Sequence, residues 1–449
     1  MTLHDSVITH PWFPRRESEY LRWYPKGLIP RAGARPSDLV DLVAGAGLNH
    51  RGVDGIYIHI PFCDRLCRFC PFNKRQIDNA LLSRYVASLI HEIALYGEVV
   101  GRASALRYVY FGGGTPSVLS AEQVSRILAA VDQYIGDLTG AEITLETHPT
   151  HARADYLAPV MATGITRISI GAQSFHDTEL RSLGAQHASE DVHEALDTAR
   201  NLGIKMGIDL LYRSVNQNFD DWLISLENAV QHEAIDHVSC YSLVLKSDRD
   251  QPDATADAKF ACIAVEALTT AGFEHYASCA TGGLDFARPG SSCRYELEHW
   301  RAPQTTFLGL GAGAFGFLGR CNTVNGLGIP EYIGQLEGGQ LPIASVRPLS
   351  DEELMRRYFV LGVKTLSVDL RRFEAQFNVA AMDVFMDKFS TLLSHGLAEI
   401  EEDRLALTAV GRLYTDQICE TFYTAEDQLE VHPEEPEIRR AEILARQVS

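Results

Sequence analysis

From residue 55 onward, short apolar runs alternate with longer stretches whose apolar residues recur every three or four positions. The short runs are "GIYIHI" (55–60), "LRYVYF" (106–111), "EITLE" (142–146), "RISIGAQ" (167–173), "MGIDLL" (206–211) and "HVSCYSL" (237–243). Their length and their content of β-branched and aromatic residues predict strands. Between them, 80–100, 120–135, 189–203 and 220–232 carry the helical period. Six such alternations predict an α/β fold, a parallel sheet with helices outside. A partial (β/α)6 TIM-like barrel and a closed eight-stranded one fit the pattern equally. In either, the site lies at the carboxyl ends of the strands.

Outside this region the pattern changes. Residues 1–50 are rich in aromatics, Pro and Arg and lack a period, which reads as an irregular N-terminal arm, either a lid over the site or a docking extension. Regularity fades beyond 245 and resumes with a helical stretch at 349–366. "GLAEIEEDRLALTAVGRLYTDQI" (396–418) reads as strand, turn, strand, helix, the shape of a winged-helix-like module. The expected division is an arm at 1–50, a catalytic domain with its extension at 51–330, a C-terminal helical and winged module at 331–424, and a charged tail at 425–449.

Composition narrows the function classes. A formal net charge of −19 argues against a broad nucleic-acid surface, which needs clustered Lys and Arg. No apolar run is long enough to span a membrane, and the first twenty residues are not a secretory signal. Nine cysteines without such a signal point to reduced thiols and a cytoplasmic location.

Three of those cysteines, Cys63, Cys67 and Cys70, stand in "HIPFCDRLCRFCPFNK", directly after the first strand. Buried cysteines are often mere small hydrophobes. Here Asp64, Arg65 and Arg68 make the loop polar, and "FGGGTPS" ends the next strand, where a glycine triplet allows close backbone approach. Four thiolates close a structural zinc or an ordinary iron–sulfur site. Three leave one corner open for chemistry.

Tyr57-x-His59-Ile60-Pro61-Phe62, the cysteine triplet with Phe69, and Gly112-Gly113-Gly114-Thr115-Pro116 resemble the radical S-adenosylmethionine superfamily. More narrowly, the chain resembles the oxygen-independent coproporphyrinogen III oxidase family, from about residue 52 to 420. The likeness includes "ISIGAQSF" (168–175), "GIDLLY" (207–212), "FARPGSSC" (286–293) and "FLGLGAGA" (307–314). It implies a radical SAM barrel in which Cys63, Cys67 and Cys70 ligate a [4Fe-4S] cluster and S-adenosylmethionine chelates the fourth iron. It further implies that Tyr57, Gly113, Glu146 and Phe315 contact that S-adenosylmethionine. Phe69, Gly114, Thr115, Gln173, Asp209 and Ser242 match contacts to a second molecule. A small-molecule substrate and a flavodoxin- or ferredoxin-type electron donor follow from the same resemblance. No residue is assigned a catalytic role beyond these.

Departures from the family pattern shape the expected activity. Pro71-Phe72 follow the third cysteine where the oxidases proper carry Gly-Cys. Tyr295-Glu296 stand where the family's haem chaperones carry His-Asn. Ala185 replaces a family arginine facing the second S-adenosylmethionine, so that Arg181 or Gln186 substitutes, or the second molecule sits differently or is absent. "YRSVNQ" (212–217) replaces the usual Tyr-Gly-Leu-Pro turn. By elimination these predict a class C radical methyltransferase or cyclopropanase of an aromatic metabolite in antibiotic biosynthesis, with a partner methyltransferase in some systems. The alternatives are a haem chaperone and a porphyrin-modifying enzyme.

Overall fold

The computed structural model describes residues 52–243 and 254–424 except 71, 104, 215, 280–281 and 302–303, together with 10, 13, 24, 25, 37, 39 and 41. Six parallel strands form its centre: β1 (Gly55–Ile60), β2 (Tyr108–Gly113), β3 (Glu142–Thr147), β4 (Arg167–Gln173), β5 (Met206–Tyr212) and β6 (Ile235–Ser242). They lie in chain order, as expected of consecutive strand–helix units. Among the helices between them are Asn79–Val100, Ala121–Tyr134, Ser189–Leu202 and Phe219–Gln231. Sequence signals set their starts. Asp78 accepts from the amides of Ala80 and Leu81, and Ser120 and Gln123 form a capping box.

The sheet does not close on itself. Beyond β6 run Glu274–Ala277 (β7) and Leu284–Ala287 (β8), with β8 antiparallel to β6. At the other edge β1 pairs in parallel with Phe307–Leu310 (β9). Phe315–Leu318 (β10), Cys321–Asn325 (β11) and Ile343–Pro348 (β12) follow in antiparallel order. The result is one twelve-stranded mixed sheet whose middle is the partial six-unit barrel.

Alternation along each parallel strand divides the molecule into two environments. Ile56, Ile58 and Ile60 of β1, Val109 and Phe111 of β2, and Ile168 and Ile170 of β4 are buried in one apolar cluster with helix residues such as Leu89, Ile93, Ile127 and Leu196. The other parity is polar and aromatic: Tyr57, His59, Tyr110, Glu146, Ser169, Asp209 and Ser239. Register sets Tyr57 beside Tyr110, Glu146 beside Ser169 and Asp209 beside Ser239.

The C-terminal module has its own core. Three short antiparallel strands, Ser367–Asp369, Ala398–Glu401 and Arg404–Leu407, pack with helices Asp351–Gly362, Leu370–Phe377 and Ala381–Ser394. Tyr24 of the N-terminal arm is fully buried in that core, stacked on Tyr423, and its carbonyl accepts from Arg357. His10 and Phe13 lie against Tyr414. Leu39 is buried in the apolar cluster of the barrel, and apart from Pro25, Ser37 and Asp41 the rest of the expected arm is outside the described residues.

One buried ion pair joins the module to the sheet. Lys364 pairs with Asp416, and its ammonium also donates to the carbonyl of Cys279, just past β7. The lysine is fully buried and its partner nearly so. Removing one member of such a pair leaves an uncompensated charge, which costs about 3–5 kcal/mol. Asp416→Ala should therefore lower the urea midpoint of the C-terminal module, followed by tryptophan fluorescence of Trp300. A midpoint equal to the parent's would show that the pair does not hold the module.

Candidate active site at the cysteine loop

The site is built where β1 and β2 end. Backbone bonds run from Gly114 N to Ile60 O (2.9 Å) and from Thr115 N to Phe62 O (2.8 Å), laying the glycine segment along the start of the cysteine loop. This approach leaves no room for side chains. A Cβ on Gly112 would stand 3.0 Å from both Glu146 Oε1 and the Tyr57 ring. On Gly113, whose φ is 118°, it would lie 2.8 Å from the His59 imidazole. On Gly114 it would meet Phe62 O at 2.7 Å and Cys63 Sγ at 3.0 Å. The triplet thus serves the packing of the loop itself.

His59 fastens the far side of that loop. Its Nε2 lies 3.0 Å from the carbonyl of Asn73, its Nδ1 lies 3.0 Å from the Tyr57 hydroxyl, and the Asn73 amide donates to Leu327 O (3.0 Å) and Ala312 O (3.3 Å). The loop closes back through Arg75 N to Pro61 O and Ile77 N to Cys63 O, both 2.9 Å. On the neighbouring β3 loop, His151 bonds Asp64 (2.5 Å) and Ser117 (2.9 Å).

All nine cysteines are free, and only Cys67 and Cys70 are more than marginally exposed. Burial pushes the Cys63 thiol up to about 11, against the opposing effects of the Thr115 hydroxyl and the Lys74 ammonium. Burial and the neighbouring Cys70 also raise Cys67, while the backbone of Gln186 counters them. Thiols held up in this way ionise when a metal takes the proton's place. Among the described residues no three Cys, His, Asp or Glu side chains converge on a single metal ion. Three thiols on one short loop, acting on one another electrostatically, fit a cubane, whose irons each take one thiolate.

Below the loop, the barrel interior gathers aromatic and acidic side chains. Tyr110 donates to Glu146 Oε1 at 2.8 Å. Tyr295, on the short helix Arg294–Trp300, stacks on Tyr110 with ring centroids 4.2 Å apart and on Tyr57 at 5.9 Å. Burial, with Glu146 and Glu296 nearby, holds Asp209 well above the usual carboxylate range. Asp285 is raised by burial and Glu296, and accepts from Ser239 at 2.7 Å. Gln173 takes φ 64° where the β4–β5 register shifts, which turns its side chain relative to the strand. Phe69 packs with Leu183, Leu211 and Leu243, and Phe315 begins β10.

Not every expected contact faces this interior. Ser242 donates to Asp257 (2.6 Å) on the helix Ala254–Thr270 and accepts from Arg213 (3.1 Å), so it serves an outward buried network. Arg181 bonds Thr178, and Gln186 bonds the carbonyl of Gly184. Near Ala185 it is instead Arg68 whose stem lies against Gly184. His299 is packed against Trp300 and Phe307.

Sequence reasoning missed Tyr295 as a wall of the site and Glu92 as its support. Glu92, on the helix Asn79–Val100, accepts from Gly311 N (2.8 Å), Asn325 Nδ2 (2.7 Å) and Tyr332 OH (2.6 Å). Tyr85 bridges His59 O and Ala312 N at 2.8 and 2.9 Å. A lone Glu on the apolar face of a helical pattern was the available signal.

Residues 57–226 match the radical SAM superfamily model, and residues 349–414 match the HemN C-terminal domain model. The haem chaperone HemW of Bacillus subtilis is 27% identical over 82% of this chain and 98% of its own. The mitochondrial radical S-adenosyl methionine domain-containing protein 1 of Bos taurus is 31% identical over 74% of this chain and 73% of its own. The Escherichia coli coproporphyrinogen III oxidase structure superposes with a TM-score of 0.74 at 23% identity, covering 85% of this chain and 93% of that one, a likeness of fold.

These relatives correct the expected class C methyltransferase or cyclopropanase, and with it the antibiotic-pathway setting and the partner methyltransferase. That reading rested on a few local departures, 71–72, 185, 212–217 and 295–296. A likeness spanning nearly all of a haem chaperone outweighs them.

Burial pushes the Glu92 carboxyl up to about 7, against the three hydrogen bonds it accepts. A folded-state value above the unfolded one means the native protein binds the extra proton between about pH 4.3 and 7. This stabilisation is complete below the unfolded value and disappears as pH rises through 7. Glu92→Gln should flatten the fall in urea midpoint between pH 5 and 8. An unaltered slope in the variant would place the pH dependence elsewhere.

Proposed function

Since this chain belongs to the HemN-like family of the radical SAM superfamily, we propose that it is a haem chaperone carrying a [4Fe-4S] cluster and S-adenosylmethionine. The observation that carries this reading is the near-full-length likeness to a protein named for that role, which includes both the barrel and the C-terminal module. The family itself implies the cluster, S-adenosylmethionine, a small-molecule ligand and an electron donor. No helix among the described residues is long and apolar enough to cross a membrane. A cytoplasmic location suits nine free thiols.

Cys63, Cys67 and Cys70 would hold the cluster. When bound, it supplies one electron for cleavage of the S-adenosylmethionine sulfonium. The chain's own contribution is positional. The tie of His59 to Asn73 O fixes the loop, and the Gly113 backbone lies against the His59 ring, next to where S-adenosylmethionine would chelate. Tyr110 orients Glu146 to accept from an ammonium or ribose donor, with Tyr57 beside it, and Phe315 would add a contact to the same molecule. Phe69, Gly114, Thr115, Gln173 and Asp209 would flank a second S-adenosylmethionine. Ser242 is engaged with Asp257 and leaves this set.

Tyr295 stands where the chaperone pattern has histidine, and its ring closes the aromatic wall over Tyr110. A haem bound here would therefore meet a phenol in place of an imidazole, a ligand type known for haem iron. Anaerobic reconstitution should give about four irons per chain, lost on replacing Cys63, Cys67 or Cys70 but kept in Cys240→Ala and Cys293→Ala. The reconstituted protein should bind haem with a Soret band, altered in Tyr295→Phe, and pass it to apomyoglobin. Decarboxylation of coproporphyrinogen III without haem binding would replace this reading with the oxidase one.

A further inference from the structure

The barrel interior holds three phenols in one stack. Ring centroids of Tyr57 and Tyr110 lie 6.2 Å apart, those of Tyr57 and Tyr295 5.9 Å, and those of Tyr110 and Tyr295 4.2 Å. The stack stands directly under the glycine segment that lies along the cysteine loop. A Cβ on Gly112 would meet Glu146 Oε1 and the Tyr57 ring at 3.0 Å and the Tyr110 ring at 3.1 Å. Phenylalanine would fill the same space, so packing accounts for the rings and not for the hydroxyls. Two of these hydroxyls face groups that exchange protons. That of Tyr57 lies 3.0 Å from His59 Nδ1, and that of Tyr110 donates to Glu146 Oε1 at 2.8 Å. Burial, with Glu146 and Asp209 nearby, holds the Tyr110 phenol well above its ordinary value, so its hydrogen stays in place through the neutral range.

One-electron cleavage of a sulfonium leaves a primary carbon radical, which takes hydrogen from almost any C–H bond it meets. A haem chaperone passes its ligand on unchanged and offers that radical no carbon substrate. Cleavage in the unloaded protein would then damage the chain, unless a better donor stands nearer. A phenol is such a donor. Its O–H bond is weaker than the C–H bond formed at the 5′ carbon, so the transfer runs downhill. The phenoxyl left behind is spread over the ring and abstracts hydrogen poorly.

We propose that Tyr110 is a hydrogen-atom donor that quenches the 5′-deoxyadenosyl radical when S-adenosylmethionine is cleaved without a hydrogen-donating ligand in the barrel. This rests on the reading that the chain carries a [4Fe-4S] cluster and S-adenosylmethionine. The Tyr110 O–H bond breaks and a C–H bond forms at the 5′ carbon, giving 5′-deoxyadenosine and a neutral Tyr110 phenoxyl. One electron from the reductant that charges the cluster and one proton returned through Glu146 restore the phenol. Tyr295, stacked on Tyr110, covers the phenoxyl ring in the meantime.

The test uses the full chain, with and without cluster. In cluster-free protein oxidised by azidyl radicals in pulse radiolysis, a slowly decaying phenoxyl component should appear. It should be lost in Tyr110→Phe and kept in Tyr156→Phe, on the helix Ala154–Met161. Reconstituted protein given dithionite and S-adenosylmethionine in heavy water, without haem, should release 5′-deoxyadenosine carrying one deuterium from the exchanged phenol. Freeze-quenched samples should show a phenoxyl EPR signal, and both signal and deuterium should be lost in Tyr110→Phe. Difluorotyrosine placed at 110 alone should add fluorine splitting to that signal, which needs no variant lacking the phenol. Deuterium-free 5′-deoxyadenosine from the parent, a signal unaltered by the fluorines, or an unchanged result in Tyr110→Phe overturns the proposal and leaves the cofactor reading intact. No 5′-deoxyadenosine at all overturns both.

Discussion

Everything at the site depends on how closely two strand ends approach each other. Gly112, Gly113 and Gly114 lie against Glu146, His59 and Phe62 at distances that a single methyl group would violate. That contact seats the cysteine loop on β2, and the loop's return is pinned through Asn73 to the turn after β9. Three thiols on an unsupported loop would sample many separations. Held between β2, His59 and the Ala312 region, they keep one arrangement before any metal arrives. The apolar exterior of the barrel then provides the rigidity against which this contact is made.

The central six strands were legible because each carries a run of β-branched or aromatic residues, and four of them, β1, β2, β4 and β5, are followed by a helix with a clear period. The six outer strands were not. Most have four or five residues, two contain glycine, and all but β9, which runs parallel to β1, pair only antiparallel. "FLGLGAGAFGFLG" is an example. It folds as two strands around a turn in which Gly311 and Gly313 take positive φ, a geometry that periodicity does not encode.

Within the site, the residues on the first five parallel strands could be placed from sequence, because strand parity and strand ends determine where a side chain points. Ser242 is turned away from the barrel interior. Tyr241 shares the inward parity of Ser239, whereas the next residue points toward the helix that supplies Asp257. Tyr295 was recognised only as a missing histidine. Its stacking on Tyr110 depends on the placement of a seven-residue helix, which no local pattern specifies. The functional misreading has a different origin: a few local motif departures were weighed above a likeness that spans nearly all of a haem chaperone.

The burial of Tyr24 in the C-terminal core has a further consequence. Arg357 is fully buried with its guanidinium over the Phe317 ring, and its acceptors include the carbonyl of Tyr24 and the side chain of Asn322 on β11. One side chain thereby joins the early chain, the edge of the large sheet and the last module. Chain order and folding order are then decoupled. On a ribosome, the segment around Tyr24 emerges hundreds of residues before the surface that buries it, and must wait in solvent until Arg357 and Tyr423 are made. Vectorial synthesis would leave the barrel assembled first, and its two flanks would be completed together as the final event.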